Sequence, residues 1–357
     1  MLVKALVLAG GSGTRLRPIT HTSAKQLVPV ANKPILFYGL EQIRDAGITD
    51  VGIIVGETAK EIEAAIGDGS ALGIKATYIP QDAPLGLAHA VLTAEDFLGD
   101  DDFVMFLGDN LIEGGITHLV EDFNRDKPDA QILLKHVPNP DQFGVAELDD
   151  EGRAVRLVEK PANPPSNYAL IGVYLFTNKI LSAAKRIEPS PRGELEITDA
   201  IQQLIDDGDE VRSSKVTGWW LDTGKKDELL EANRIVLGDI ERSVAGDVDE
   251  DSSVAGQVII EAGASLVNSV VRGPAIIGAG TKLVDAYIGP FTSIGPGCTI
   301  ERTEIEYSVI LERCMVSDIR RIEGSLLGRD VSLRRTERKP AAHKFMLGDD
   351  SQVELES

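Results

Sequence analysis

Five branched apolar residues, Val254, Val271, Ile288, Ile305 and Ile322, recur at a constant spacing of 17 in the last third of the chain. Inside the units the pattern repeats. Ile260, Ile277 and Ile294 follow six residues after a unit's start, and Leu266, Leu283 and Ile300 six after that. Ala262-Gly263, Ala279-Gly280 and Pro296-Gly297 align as turns. A short fixed period of this kind means a solenoid, because one coil cannot bury its apolar residues alone and does so by stacking on its neighbours. Steps of six, six and five make three faces per coil, which predicts a parallel β-helix over 241–335. The charged, poorly patterned stretch 336–357 reads as an extension over the solenoid end.

The first 240 residues follow another rule. Strand-like runs at 4–9, 51–55, 74–79 and 103–107 alternate with helical ones at 34–47, 59–66 and 88–98. That alternation predicts an α/β domain with a mostly parallel sheet. Ligands of such sheets bind at the carboxyl ends of the strands, where Gly10-Gly11 and Asp109 fall. A chain of 357 residues is long enough for two cores of this kind.

The bulk charge narrows the partners. With 36 basic and 57 acidic residues the net charge is −21. Such a field repels nucleic acid and anionic membranes, so neither is expected as a partner. It suits a high-salt surface or plain solubility equally. It also means that a site for polyanions must gather its cations locally. No apolar run is long enough to cross a bilayer, and the N-terminus reads as a first strand, not a signal peptide. Cys298 and Cys314 form no metal or redox spacing and read as two reduced thiols of a cytoplasmic protein.

Gly10-Gly11-Ser12-Gly13-Thr14-Arg15 directly follows the first strand. Consecutive glycines let backbone N–H groups converge on phosphate oxygens. A dinucleotide site would need a third glycine and an acid about 20 residues on, and Val30-Ala31-Asn32-Lys33 offers none. A P-loop would need Lys then Ser or Thr after its second glycine, and the chain has Arg15-Leu16. A third reading remains, a pyrophosphorylase loop in which Arg15 and Lys25 bring charge to a triphosphate.

Leu8-Ala9-Gly10-Gly11-Ser12-Gly13-Thr14-Arg15-Leu16 with Lys25-Gln26-Leu27-Val28-Pro29-Val30 resembles the signature of the sugar nucleotidyltransferases. Further matches follow in family order: Gln81, Gly86-Leu87-Ala88, Leu107-Gly108-Asp109-Asn110, Phe143-Gly144-Val145, Glu159-Lys160-Pro161, Ser166-Asn167-Tyr168-Ala169, and Trp220-Leu221-Asp222-Thr223-Gly224. The block from Arg192 to Asp199 is similar to that of glucose-1-phosphate thymidylyltransferases. The resemblance spans the first two-thirds of the chain. It implies a Rossmann-like nucleotidyltransferase domain with a mixed sheet over 1–240. The repeats resemble hexapeptide-repeat proteins, which implies a left-handed β-helix over 241–335 and an extension over 336–357.

The activity implied is transfer of a nucleotidyl group from dTTP to glucose-1-phosphate with Mg²⁺. The same chemistry with UTP is the alternative, and a non-catalytic sugar-nucleotide-sensing scaffold the remote one. By the same resemblance Arg15, Lys25 and Lys160 are catalytic. Leu8, Gly10, Gly11, Gly13, Thr14, Gln81, Gly86 and Asp109 hold the nucleotide, with Gln81 and Gly86 reading the base. Asn110, Gly144, Glu159, Lys160 and Leu170 hold the sugar phosphate, and Asp109 and Asp222 bind the metal. Leu85, Phe143 and Ile171 depart from residues some thymidylyltransferases carry there, Asp, Tyr and Thr. His21, His89, His118, His136 and His343 show no nucleophile or metal spacing and read as structural or surface residues. No histidine lies between Val254 and Arg335, which argues against an acetyltransferase solenoid and for one that assembles a homo-oligomer or regulates the enzyme. Every recognised motif precedes residue 240, so a chain cut there is expected to keep some transfer.

Overall fold

Ala5 and Val7 bury into one apolar cluster and Leu6 into another. The strand Lys4–Leu8 is therefore covered on both faces, which is why it reads as a continuous apolar run. The computed structural model describes residues 4–11, 13–335 and 343–355. Ser12 of the glycine motif, and 336–342 and 356–357 of the expected extension, lie outside the described residues.

Around that strand a nine-stranded sheet runs in the order Ala154–Glu159, Gly144–Leu148, Tyr168–Phe176, Phe103–Leu107, Lys4–Leu8, Asp50–Val55, Lys75–Pro80. Ala130–His136 pairs with Tyr168–Phe176 and, in parallel, with Val211–Lys215. Lys4–Leu8 is parallel to both neighbours, and Asp50–Val55 is parallel to Lys75–Pro80. Tyr168–Phe176 runs antiparallel to all three of its partners. The sheet is thus mixed, and the alternation of helices and strands overstated its parallel share. Ile35–Asp45 and Thr117–Asp126 pack on the first cluster, and Leu87–Thr93, Lys179–Ala184 and Ile197–Asp206 on the second. The helix expected over 88–98 is two pieces, Leu87–Thr93 and Glu95–Leu98. Ala94 leaves helical geometry between them (φ −91°, ψ 7°), and Val91 and Leu98 both reach the same core.

The chain divides into two compact units. The first comprises 1–12, 24–27 and 35–222; the second comprises 13–23, 28–34 and 223–357. Most of the second unit is a left-handed parallel β-helix with two faces of six strands and one of five. Val271, Ile288, Ile305 and Ile322 fill its interior with Ile260, Ile277, Ile294, Leu266, Leu283 and Ile300. The five-stranded face keeps the spacing of 17, Ile288 pairing with Ile305 and Ile305 with Ile322. The other two faces lose one residue in the fourth coil, where Ile294 pairs with Ile310 and Ile300 with Val316. Gly263, Gly280 and Gly297 hold left-handed corners with φ between 68° and 77°, which explains the aligned turns. Cys298 and Cys314 are free thiols buried in neighbouring coils, donating to the carbonyls of Leu311 and Gly328.

Within the same unit the hairpin Pro29–Val30 and Lys33–Pro34 and the helix Lys226–Gly238 are bonded to the solenoid. Asn233, fully buried, accepts from the Ala31 N–H (2.9 Å) and the Ser293 hydroxyl (2.7 Å) and donates to the Phe291 carbonyl. Asn32 donates to the Ile294 carbonyl (2.8 Å), and Arg329 to the Ser23 hydroxyl (2.9 Å).

Candidate active site

Leu8 is in register with Ile54 on one side and Leu107 on the other, so three loops leave the carboxyl edge of the first unit's sheet side by side. They carry Gly10, Gly56 and Gly108-Asp109. A Cβ on Gly56 would stand 2.9 Å from the Gly10 carbonyl oxygen, and one on Gly108 2.9 Å from that of Leu8. Glycine at these places lets backbone lie on backbone and keeps the strand ends open.

Lys25 stands in the short turn Lys25–Leu27 and is buried. Its ammonium binds the Asp109 carboxylate and lies 3.6 Å from Asp222. Asp109 also accepts from the Asn110 amide (2.9 Å). Burial pushes the Asp109 carboxyl up, but the charge and hydrogen bond of Lys25 and the Asn110 amide outweigh it and hold it below the ordinary value. Asp222 reaches this place because Trp220–Asp222 pairs antiparallel with Asn110–Ile112, and Asp222 opposes Asn110. The Trp220 indole N–H donates to Oδ1 of the Asn110 side chain (2.6 Å), which fixes the amide that faces Asp109.

A second group forms at the end of Ala154–Glu159. Glu159 lies 3.6 Å from Lys160 and 3.4 Å from Arg192, and the Thr198 hydroxyl donates to it. A Cβ on Gly144 would come within 3.0 Å of the Glu159 carboxylate and 3.7 Å of Leu170. Arg192 is held in turn by Glu196, which also accepts from the Ser190 hydroxyl. Burial raises the Glu159 carboxyl; Lys160 and Arg192 oppose that and Glu196 adds to it, with a net rise. The rings of Phe143 and Trp220 meet edge to face at 5.4 Å, between this group and the Asn110 pair.

Gln81 follows the strand Lys75–Pro80, and its Oε1 faces Gly10. Gly86 has φ 106°, and a Cβ there would fall 2.3 Å from the Leu195 carbonyl oxygen. Leu195 donates to the Leu85 carbonyl and accepts from the Ala88 N–H, so the Gly86 turn and the 192–199 segment are stitched together.

Gly13, Thr14 and Arg15 belong to the second unit. Gly13 takes a left-handed conformation (φ 63°) before the turn Thr14–Leu16, and its carbonyl accepts from the Thr20 hydroxyl. The Arg15 guanidinium lies against Gly224, about where a Cβ would intrude, with Glu228 on the same glycine.

Residues 4–238 match the model of the nucleotidyl transferase family, which is more than half of the chain. The chain belongs to that family. Over 357 residues it is 59% identical to a glucose-1-phosphate thymidylyltransferase of Streptomyces antibioticus, covering 99% of this chain and 100% of the relative. Among solved structures it is similar to a Bacillus anthracis chain described as a glucose-1-phosphate thymidylyltransferase in complex with sucrose, at 37% identity and TM-score 0.63, covering 68% of this chain and 97% of the other. It is also similar to a UDP-glucose pyrophosphorylase solved with UDP-glucose, at 25% identity and TM-score 0.60, covering 67% and 99%.

In this nucleotidyltransferase the expected residues of the first unit fall into three groups: Leu8, Gly10, Gly11, Gln81 and Gly86 around the glycine loop, Lys25, Asp109, Asn110 and Asp222 beside it, and Gly144, Glu159, Lys160 and Leu170 together. Sequence reasoning gave no role to Gln26, Trp220, Arg192 or Thr198, which touch these groups, or to Glu196, which holds Arg192. Trp220 had a signal, since it lies two residues before Asp222 on the same short strand. Gln26 follows Lys25, is buried, and its amide nitrogen comes 3.5 Å from where a Cβ on Gly11 would sit. Among the described residues no helix is long and apolar enough to cross a membrane.

Proposed function

We propose that this nucleotidyltransferase joins dTTP to glucose-1-phosphate, giving dTDP-glucose and pyrophosphate. The observation that carries the reading is the buried Lys25 ammonium facing both Asp109 and Asp222 beside a glycine loop at the strand ends. That is machinery for polyanions. A phosphate oxygen of the sugar phosphate attacks the α-phosphorus in line. The new P–O bond forms as the bond to the bridging oxygen breaks, and pyrophosphate leaves with the electron pair. The nucleophile is already an anion, so no covalent intermediate or strong base is needed, and catalysis is positioning plus charge neutralisation.

Leu8, Gly10, Gly11, Gly13 and Thr14 cradle the nucleotide, with backbone N–H groups turned to its phosphates. Lys25 neutralises the triphosphate, and the Arg15 fork takes the charge that grows on the departing pyrophosphate. Lys160 holds the sugar phosphate with Asn110, Gly144 and Leu170 around the hexose, and Glu159 accepts sugar hydroxyls. Asp109 and Asp222 suit Mg²⁺, which takes one or two carboxylates and completes its shell with phosphate oxygens and water. Among the described residues no cluster of three or more metal-ligating side chains exists, so substrate oxygens are needed to fill such a shell. Held by Asp109 and Asp222, Mg²⁺ would supply charge neutralisation for the phosphates.

The imide edge that Gln81 would read is common to thymine and uracil, and the likeness to a UDP-glucose pyrophosphorylase keeps UTP as the second reading. The transfer domain would be 1–240, followed by the β-helix of 241–335 and the extension 336–357, and the β-helix would assemble a cytoplasmic homo-oligomer or regulate the enzyme. Pyrophosphate release from glucose-1-phosphate with dTTP, UTP, dCTP, ATP and GTP tests the reading. A preference for dTTP supports it; UTP preferred over dTTP transfers it to the uridylyl reaction; release with neither overturns it.

A further inference from the structure

Gln81 cannot choose a base unless its own amide is held one way round, because oxygen and nitrogen of a free amide exchange by a half-turn. Three neighbours decide the orientation. The amide nitrogen lies 3.4 Å from the Gly86 carbonyl oxygen, which accepts and never donates. The same nitrogen lies 2.9 Å from Nδ1 of His89. The oxygen is left facing Gly10, 3.7 Å from where a Cβ would be. Since the Gly86 carbonyl demands the nitrogen, Nδ1 of His89 must be the acceptor, which places the ring proton on Nε2. Thr93 does not compete for Nδ1, as its hydroxyl donates to the His89 backbone carbonyl at 2.9 Å.

We infer that His89 is a positioning residue for base choice: by locking the Gln81 amide it selects a pyrimidine with an N3–H, thymine or uracil, against cytosine. The inference rests on the reading of Gln81 as the side chain that meets the base. Thymine and uracil present a donor at N3 between two carbonyl acceptors. An amide with its oxygen toward N3 accepts that proton, while its two N–H groups stay with the Gly86 carbonyl and Nδ1 of His89. Cytosine has an unprotonated N3, so it needs the amide nitrogen at that place. Reaching it means turning the Gln81 oxygen onto the lone pairs of the Gly86 carbonyl and onto His89, whose ring proton must then move from Nε2 to Nδ1. Part-buried lone pairs set against one another make a site reject the wrong partner more strongly than lost contacts do.

The test compares the full-length enzyme with His89→Leu, which removes the acceptor, and His89→Asn, whose Oδ1 restores an acceptor near Nδ1. The readouts are KM for dTTP and the inhibition constant of dCTP competing with dTTP. In His89→Leu dCTP should bind about ten-fold more tightly, as when one repulsive polar contact is removed. The KM for dTTP should stay within about three-fold, and His89→Asn should keep the wild-type ratio. A ratio unmoved in His89→Leu overturns the inference. So does equal weakening of both nucleotides, which is what loss of packing alone gives. Gln81→Leu separates the two layers. If it leaves KM for dTTP unchanged, the base-reading role fails and the inference with it. If it raises that KM while the His89→Leu ratio is unmoved, only the role of His89 fails.

Discussion

Gly86→Ala perturbs the tightest approach of a glycine to backbone in the described part of the first unit. Residue 86 sits at φ 106°, and the added Cβ would stand 2.3 Å from the oxygen, 2.7 Å from the nitrogen and 2.8 Å from the carbon of Leu195. Holding an L-residue at such a φ costs about 1–3 kcal/mol. The overlap is with backbone, so no side chain can swing aside, and the 195 segment must move by roughly 1 Å to restore van der Waals contact. That movement breaks the bonds from the Leu195 N–H to Leu85 (2.7 Å) and from the Ala88 N–H to Leu195 (3.0 Å). At about 1 kcal/mol each they bring the loss to about 3–5 kcal/mol. For a unit of this size the melting temperature should fall by about 10 °C. Glu196 and Thr198 ride on the displaced segment, so KM for glucose-1-phosphate should rise together with that for dTTP. Thermal unfolding by circular dichroism and steady-state pyrophosphate release measure both. A variant that melts within 2 °C of wild type with both KM values unchanged would refute the reasoning.

Arg15→Ala should lower kcat by at least about a hundred-fold, as removal of one preorganised charge-stabilising donor does; a rise in KM alone would mean that Arg15 binds ground and transition states alike. Because Glu159 sits above its ordinary carboxyl value of 4.5 and must be ionised to accept hydroxyls, kcat/KM for glucose-1-phosphate should fall on acidification with a midpoint above 4.5. Its raised value means that the folded state binds this proton more tightly than the unfolded, so the same group favours the fold as pH drops and opposes it as pH rises through the midpoint. The acid limb should vanish in Glu159→Gln, and a midpoint at or below 4.5 would contradict the assignment. Truncation at residue 240 should also cost more activity than the order of motifs suggests. It removes Ser293, Ile294 and Arg329, whose bonds hold Asn233, Asn32 and Ser23, and thus frees both chain segments that flank Lys25 in sequence. Activity of the truncated chain within about three-fold of the whole would show that those bonds do not serve catalysis.

Much of this was legible in the sequence, for physical reasons that also mark where legibility stops. A stacked coil repeats its own length, so Val254 to Ile322 display the solenoid outright. The same series hides the change in the fourth coil, because its face alone keeps the full period while Ile294 pairs with Ile310. Motif order singled out Asp109 and Asp222 as candidate metal carboxylates, and the structure brings both to Lys25. It could not reveal that Trp220 fastens Asn110, since that contact depends on two short strands pairing across 110 residues. Nor does linear order show that Arg15 shares a unit with the solenoid while Lys25, ten positions on, does not. His89 read as structural because no nucleophile or metal spacing includes it. Its contact with Gln81 arises where a strand ends, a loop turns at Gly86 and a helix begins, and no periodicity records that.

The central claim is that Asp109 and Asp222, facing Lys25, form the reacting centre. Both carboxylates stand at strand ends, a position that suits binding a ligand more than filling a core. The direct measurement is turnover of dTTP and glucose-1-phosphate by Asp109→Ala and Asp222→Ala, each with its melting curve recorded beside wild type. The account predicts turnover lost in both, with cooperative unfolding retained. Turnover within a few-fold of wild type in either variant would contradict it.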